Sequence, residues 1–171
     1  MEHEKGYSAK LRLQALQKRL PKGEVGIYLV GKKYLRVEQQ PSGATAYVSS
    51  RKNVVTSFCL SKRYGNLGFL AHNHLAGKYF SELEIGDEVF VLPEEGSILR
   101  YRITHILQYR ALQPRDPRSR FINLQTNQQC SAGDVFRQVY QGDEHVTLQT
   151  CIAKSGLSEW GRLFIIAEPS N

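Results

Sequence analysis

Apolar and polar positions divide the chain into one helical segment followed by a succession of short strands. Leu11, Leu13, Leu16 and Leu20 recur near a helical period between Lys10, Arg12, Lys18 and Arg19. Pro21 and Gly23 supply the stop signal. From Val25 onward the pattern becomes β. Residues 25–30 are β-rich and end at Gly31. Residues 34–37, 46–48 and 54–60 form three more runs, the first two separated by Pro41, Ser42 and Gly43. Residues 67–72 are apolar and lead into Asn73, and residues 88–92 end at Pro93. In residues 99–109, Tyr101, Ile103 and Leu107 alternate with Arg100, Arg102, Thr104 and Gln108. Residues 145–151 and 162–167 supply the last two strands.

Eight or nine short strands behind one helix predict a mainly β fold, an antiparallel barrel or sandwich. With 171 residues there is room for one core. Residues 1–22 are expected to form an N-terminal helical segment and residues 23–171 a single barrel domain. The stretch 111–144 is too long for plain loop. Its second half, 131–140, predicts a short helix capped by Ser131, with Asp134 in the first turn. Its first half, 113–120, is polar and proline-rich and is expected to be mobile.

Composition narrows the function classes. At 41% hydrophobic residues the chain is too apolar for disorder. Its longest apolar run, residues 163–167, is far short of the roughly 20 residues a membrane-spanning helix requires. Met1 is followed by Glu-His-Glu-Lys-Gly rather than by a secretory signal pattern. The net charge of +7 is uneven: residues 1–63 hold 13 Lys/Arg and 4 Asp/Glu, residues 64–171 hold 10 and 12. Charge alone carries no specificity, so the basic half reads first as a solvated face. Tyr28, Tyr34 and Tyr47 near Lys32, Lys33 and Arg36 are a thin version of a single-strand-binding surface, and no nucleic-acid partner is expected. No Cys/His cluster has metal-ligand spacing, and there is neither a phosphate loop nor a dinucleotide fingerprint; no cofactor is expected.

The chemistry centres on the three cysteines, Cys59, Cys130 and Cys151; an odd number leaves at least one thiol free. Cys59, in Thr-Ser-Phe-Cys-Leu, reads as core. Cys130 sits on the long connection without an obvious partner. Cys151 closes a strand beside a loop, where a substrate can reach it. Arg162 opens the next strand after a turn with Gly156 and Gly161. If the two strands pair as a hairpin, Cys151 and Arg162 face each other about 5 Å apart. A guanidinium there favours the thiolate and can donate to an oxyanion.

A thiol nucleophile also requires a proton shuttle, usually histidine. His3 lies in the tail, and His105 sits mid-strand, where a structural role is expected. His145 is six residues from Cys151 on one strand, roughly 20 Å away. His72 and His74 remain, and His72 ends an apolar strand as Cys151 does.

These segments resemble the sortase family of cysteine transpeptidases. Leu70-Ala71-His72-Asn73 is similar to the family's strand-end histidine motif, with Ala71 where glycine is frequent. Phe80-Ser-Glu-Leu83 and Ile85-Gly-Asp-Glu-Val-Phe-Val91 resemble its Phe-x-x-Leu and Gly-Asp signature. Tyr101-Arg-Ile103 through Pro114 is similar to the long strand before its substrate loop. Thr147-Leu-Gln-Thr-Cys151 resembles its Thr-Leu-x-Thr-Cys nucleophile motif, and Gly161-Arg162-Leu-Phe-Ile-Ile-Ala167 its closing arginine strand. Together they span residues 67–167.

The resemblance implies a closed eight-stranded barrel with an N-terminal helix, Cys151 as nucleophile, His72 as general acid and base, and Arg162 as substrate and oxyanion ligand. It implies a C-terminal sorting signal of the Leu-Pro-x-Thr-Gly type as substrate. The acceptor would be an amine of the cell envelope or a pilin-type lysine. It further implies an extracytoplasmic, envelope-associated location, with the usual membrane anchor removed, or otherwise a soluble form. Two other readings remain: a cysteine hydrolase with the same site and water as acceptor, and a non-catalytic nucleic-acid-binding barrel.

Overall fold

The computed structural model describes residues 2–20, 22 and 25–171, the side chains of residues 2–8 aside. Helix α1, Glu2–Lys18, is mostly exposed. Leu13 is buried, whereas Leu11 is 49% exposed. Gln17 Nε2 ties the helix to the barrel by donating to the Pro93 and Gly96 carbonyls, at 2.8 and 3.2 Å. Pro21 and Gly23, the expected helix stop, lie outside the described residues.

The strands are β1 (Val25–Leu29), β2 (Lys33–Gln39), β3 (Val54–Ser57), β4 (Leu67–Leu70), β5 (Glu88–Leu92), β6 (Leu99–Ala111), β7 (Phe121–Asn123), β8 (Gln129–Cys130), β9 (Val146–Lys154) and β10 (Leu157–Pro169). Their hydrogen-bonded order is β10-β9-β4-β3-β2-β1-β5-β6, and β10 also pairs with β6. That last pairing closes an eight-stranded barrel, the expected fold class. β7 and β8 extend from β6 outside the ring. The β2–β3 and β4–β9 pairs are parallel and the other pairs antiparallel.

The barrel interior is filled from every strand of the ring, by Ile27, Leu35, Val55, Phe69, Val89, Ile103, Leu148 and Ile165 among others. A second core lies outside the barrel wall, where helix α3 (Ala132–Tyr140) packs Val135, Val139 and Tyr140 on Leu107, Tyr109, Phe164 and Ile166. One irregularity lets β6 serve both. Its partner residues step from Ile166↔His105 to Ala167↔Ile103, so Thr104 is an extra residue. A bulge of this kind exchanges the two faces of a strand. Tyr101 and Ile103 therefore point inward, while Leu107, Tyr109 and Ala111 point to α3. The helix carries the predicted cap: Ser131 Oγ accepts the Asp134 N–H at 3.1 Å, and the Asp134 carboxylate accepts the Ser131 N–H at 2.9 Å.

Two local expectations are corrected. Residues 46–48 are not a strand. Because β2 and β3 run parallel, the segment between them must cross from one barrel end to the other. It is held by polar contacts instead, with Gln40 Nε2 donating to the Thr45 and Tyr47 carbonyls, each at 3.0 Å. Residues 59–60 leave the strand and begin a short helix, α2 (Cys59–Lys62). The segment 113–120 is a hydrogen-bonded turn: Ser119 is buried, and its Oγ accepts the Gln113 N–H at 2.9 Å.

Candidate active site

Each residue of Thr147-Leu-Gln-Thr-Cys151 has a distinct local contact. Thr147 Oγ1 donates to the Val139 carbonyl at the end of α3. Leu148 is fully buried in the barrel core. Gln149 accepts the Tyr140 hydroxyl. Thr150 Oγ1 donates to the Ala71 carbonyl at 2.8 Å. That last bond pins β9 to the chain leaving β4 one residue before both Cys151 and His72.

Strand register then sets a row of side chains. Cys151 pairs directly with Arg162 in the β9–β10 ladder, as the hairpin argument expected. On the other side β9 runs parallel to β4, with Leu70 opposite Gln149. The Ala71 N–H donating to Gln149 O at 3.1 Å is the last bond of that ladder. β4 ends at Leu70, so His72 does not end the strand, as expected of it, but lies in the loop that follows. Alternation puts Cys151 and Arg162 on one face. Phe69, Leu148 and Leu163 point into the barrel, whereas Leu70, Gln149 and Phe164 are their immediate, outward-facing neighbours. Cys151 and Arg162 share the outward parity on adjacent strands. Neighbouring strands are about 4.8 Å apart.

Contrary to expectation, Cys151 does not close its strand, because β9 continues to Lys154. It is half-buried, and the strand beyond it is the exposed arm of a hairpin that turns at Ser155 and Gly156. Cys59 is exposed rather than core, since the chain turns into α2 at that residue. Cys130 is half-buried against the outer core. His145 is buried on the far side of α3, its ring nitrogens 2.7 and 2.9 Å from the Asp143 and Val139 carbonyl oxygens, well separated from Cys151. His105 is exposed, with Nδ1 3.0 Å from Thr104 Oγ1.

Arg162 is held by backbone oxygens. Its Nη1 donates to the Glu159 and Gly161 carbonyls at 2.9 and 3.0 Å, and its Nη2 to the Pro114 carbonyl at 3.0 Å. These bonds use three of the five guanidinium N–H donors. Gly161 precedes it because a Cβ there would collide with the Tyr109 carbonyl. The loop after β4 is fastened to the same hairpin, with Asn73 Nδ2 donating to the Ser158 carbonyl at 2.9 Å. The contacts of Asn73, Pro114 and Glu159 escaped the sequence reading because each ends on a backbone carbonyl, which no side-chain pattern marks.

Burial pushes the Cys151 thiol above its ordinary value; the Arg162 charge pulls it back, and the Glu159 carboxylate adds to the rise. The thiol is therefore the resting form near neutrality, and attack requires a base. The imidazoles of His72 and His74 stack with centroids 5.6 Å apart. A 3-10 helix, Ala76–Glu82, follows this loop. With β6 and β10 it borders a cavity of about 840 Å³, lined by Lys78, Phe80, Leu83, Ile106 and Leu163. Cys151 and His74 also border it; His72 and Arg162 do not.

No protein-family model matches the chain, and no curated protein does. Solved structures do match. The sortase C1 of Streptococcus suis aligns at TM-score 0.58 with 15% identity, covering 99% of this chain and 82% of that one. Listeria monocytogenes sortase A aligns at 0.54 with 12% identity, covering 86% of each chain. Sortase E1 of Streptomyces coelicolor, solved with a tripeptide in its active site, aligns at 0.55 with 16% identity, covering 87% of this chain and 88% of that one.

Proposed function

We propose that this chain, which has the sortase fold, is a cysteine transpeptidase in which Cys151, His72 and Arg162 act together. The observation that supports the reading most is the direct pairing of Cys151 with Arg162 across β9–β10, beside the loop after β4 that carries His72. His72 takes the proton from the Cys151 thiol as sulfur attacks the peptide carbonyl. Arg162 donates to the oxygen that gains charge in that step. Collapse expels the amine of the cleaved bond, which receives the proton from His72, and leaves a thioester on Cys151. A second amine, deprotonated by His72, attacks the thioester, forms the new amide and frees the thiol.

The substrate in this reading is a Leu-Pro-x-Thr-Gly type sorting signal, and the acceptor an envelope amine or pilin-type lysine, with the enzyme working outside the cytoplasm. Among the described residues no helix is long and apolar enough to cross a membrane. Incubation with a labelled Leu-Pro-x-Thr-Gly peptide and triglycine separates the outcomes. A ligated peptide supports the transpeptidase. Cleavage to the free acid alone, at every triglycine concentration, would make it a hydrolase.

A further inference from the structure

Arg162 takes its backbone contacts from two sources. The Glu159 and Gly161 carbonyls belong to its own strand, so they follow the arginine wherever β10 goes. The Pro114 carbonyl, which accepts from Nη2 at 3.0 Å, belongs to another element. It is the contact that fixes the guanidinium relative to the rest of the barrel. Pro114 lies in the connection between β6 and β7, whose ladder ends at the pair Ala111↔Phe121. That connection is bonded almost entirely to itself. The Leu112 N–H donates to the Arg120 carbonyl at 2.9 Å, the Asp116 N–H to the Gln113 carbonyl at 3.0 Å, and the Ser119 N–H to the Asp116 carbonyl at 3.0 Å. The Asp116 carboxylate accepts the Arg118 N–H at 2.8 Å. Among the described residues, the Pro114–Arg162 bond is the one hydrogen bond by which residues 112–119 reach beyond this connection.

Ser119 closes the connection from inside. It is fully buried, whereas Leu112, Gln113, Arg115, Pro117 and Arg118 around it are exposed. Its Oγ accepts the Gln113 N–H at 2.9 Å and donates to the Arg120 carbonyl at 2.7 Å, so one hydroxyl ties the two ends of the turn together. Gln113 precedes Pro114, and the proline ring both restricts the backbone of Gln113 and fixes φ of Pro114. With the Gln113 N–H held as well, little freedom remains for the Pro114 carbonyl. The turn also acts on the hairpin through charge. The Glu159 carboxylate is held below its ordinary value chiefly by the Ser158 side chain, with the charges of Arg115 and Arg162 adding to the effect.

We propose that Ser119 is a positioning residue: it locks the 112–120 turn so that the Pro114 carbonyl aims the Arg162 guanidinium at the oxygen of the attacked peptide bond. The target of the guanidinium rests on the proposed function; the clamp on Arg162 does not. Three of the five guanidinium N–H donors are taken by carbonyls, which leaves two for substrate. An oxyanion donor must lie within about 2.7–3.1 Å of the place where charge develops. A misplacement of about 1 Å is enough to lower a rate by roughly 100-fold. The two carbonyls of β10 cannot set that position alone, because they move with Arg162. Removing the Ser119 hydroxyl frees both ends of the turn at once and lets the Pro114 carbonyl drift.

Two measurements test this. In the first, kcat and KM for a sorting-signal peptide are followed through a double-mutant cycle of Ser119→Ala with Arg162→Lys. Ser119→Ala is expected to lose at least about tenfold in kcat with KM within about twofold of wild type. Arg162→Lys should lose at least about threefold less in Ser119→Ala than in wild type, because the aim it removes is already gone. Losses that simply multiply would leave Ser119 a residue of the fold alone and overturn the proposal. Where Ser119→Ala does not fold, Asp116→Ala on the surface of the same turn carries the same cycle and is read in the same way. The second measurement requires no turnover. Burial raises the Cys151 thiol, the Arg162 charge lowers it, and Glu159 raises it further, so iodoacetamide alkylation against pH reports where the Arg162 charge lies. Ser119→Ala should move the midpoint up, and should move it no further when added to Arg162→Ala. An unmoved midpoint in Ser119→Ala would show that Arg162 keeps its place without the clamp and would overturn the proposal. If the midpoint moves but no thioester forms with the peptide, the proposed function fails and the clamp on Arg162 stands.

Discussion

Arg162 sits directly opposite Cys151 in the β9–β10 ladder while its guanidinium is held by the Glu159, Gly161 and Pro114 carbonyls. This separates two roles that an arginine beside a thiol can have. A point charge would act equally well as lysine, but a fork fixed by three backbone bonds aims its donors in a set direction. Arg162→Lys is expected to lose roughly 2–4 kcal/mol of transition-state stabilisation, the range for one oxyanion donor, in kcat/KM on a sorting-signal peptide. A lysine variant within a fewfold of wild type would reduce Arg162 to a charge.

The two histidines differ in what they border. The two rings stack, and His74 borders the cavity that Cys151 also borders, whereas His72 does not. In the proposed mechanism His72→Ala should lose at least about 100-fold in kcat, the scale of an acid–base group. His74→Ala should lose much less and act mainly through the ring it stacks on. An inactive His74→Ala beside an active His72→Ala would reverse the assignment.

The thiol's environment yields a pH prediction with a definite sign. Burial raises the Cys151 value and so disfavours thiolate, Arg162 opposes this, and Glu159 adds to it. The pH dependence of iodoacetamide alkylation at Cys151 should have its midpoint above that of a cysteine in a short model peptide. Arg162→Ala should move the midpoint up, and Glu159→Gln should move it down. Movement in the reverse directions would show that the hairpin charges are not coupled to the thiol.

Gly77 tests the support beneath the site. A Cβ at this position would run into Thr150 Oγ1 and come within 2.8 Å of the His72 carbonyl oxygen. Gly77→Ala must push the 3-10 helix away from β9 and disturb the Thr150–Ala71 bond. A loss of about 1–3 kcal/mol in stability is expected from such overpacking, read by denaturant unfolding. Loss of peptide cleavage should accompany it. Wild-type stability and activity would mean that the loop carrying His72 absorbs the methyl group.

The parts legible in the sequence are those whose partners are near in the chain. Arg162 facing Cys151 follows from one hairpin with a turn at Ser155 and Gly156, and α3 follows from its own Ser131–Asp134 cap. Short β-rich runs between turn residues revealed the barrel, although β3 and the middle of β10 are buried on both faces. What lay hidden is set by distant neighbours. Nothing local marks β4 as the parallel partner of β9, although that pairing brings the loop that carries His72 to the strand of Cys151. The Thr104 bulge is invisible because both halves of β6 alternate correctly on their own. Cys59 looks like core from its apolar neighbours and is exposed only because the chain turns into α2 there. The strands β7 and β8, of three and two residues, are too short to show a period.

Mass spectrometry of intact protein mixed with a Leu-Pro-x-Thr-Gly peptide, followed by proteolytic mapping, tests the central claim most directly. The account predicts an added mass equal to the acyl fragment ending at threonine, carried by the peptide containing Cys151. The adduct should be retained in Cys59→Ala and Cys130→Ala, absent in Cys151→Ala, and released by hydroxylamine as a thioester is. An adduct on Cys59 or Cys130, or cleavage of the peptide by Cys151→Ala, would contradict it.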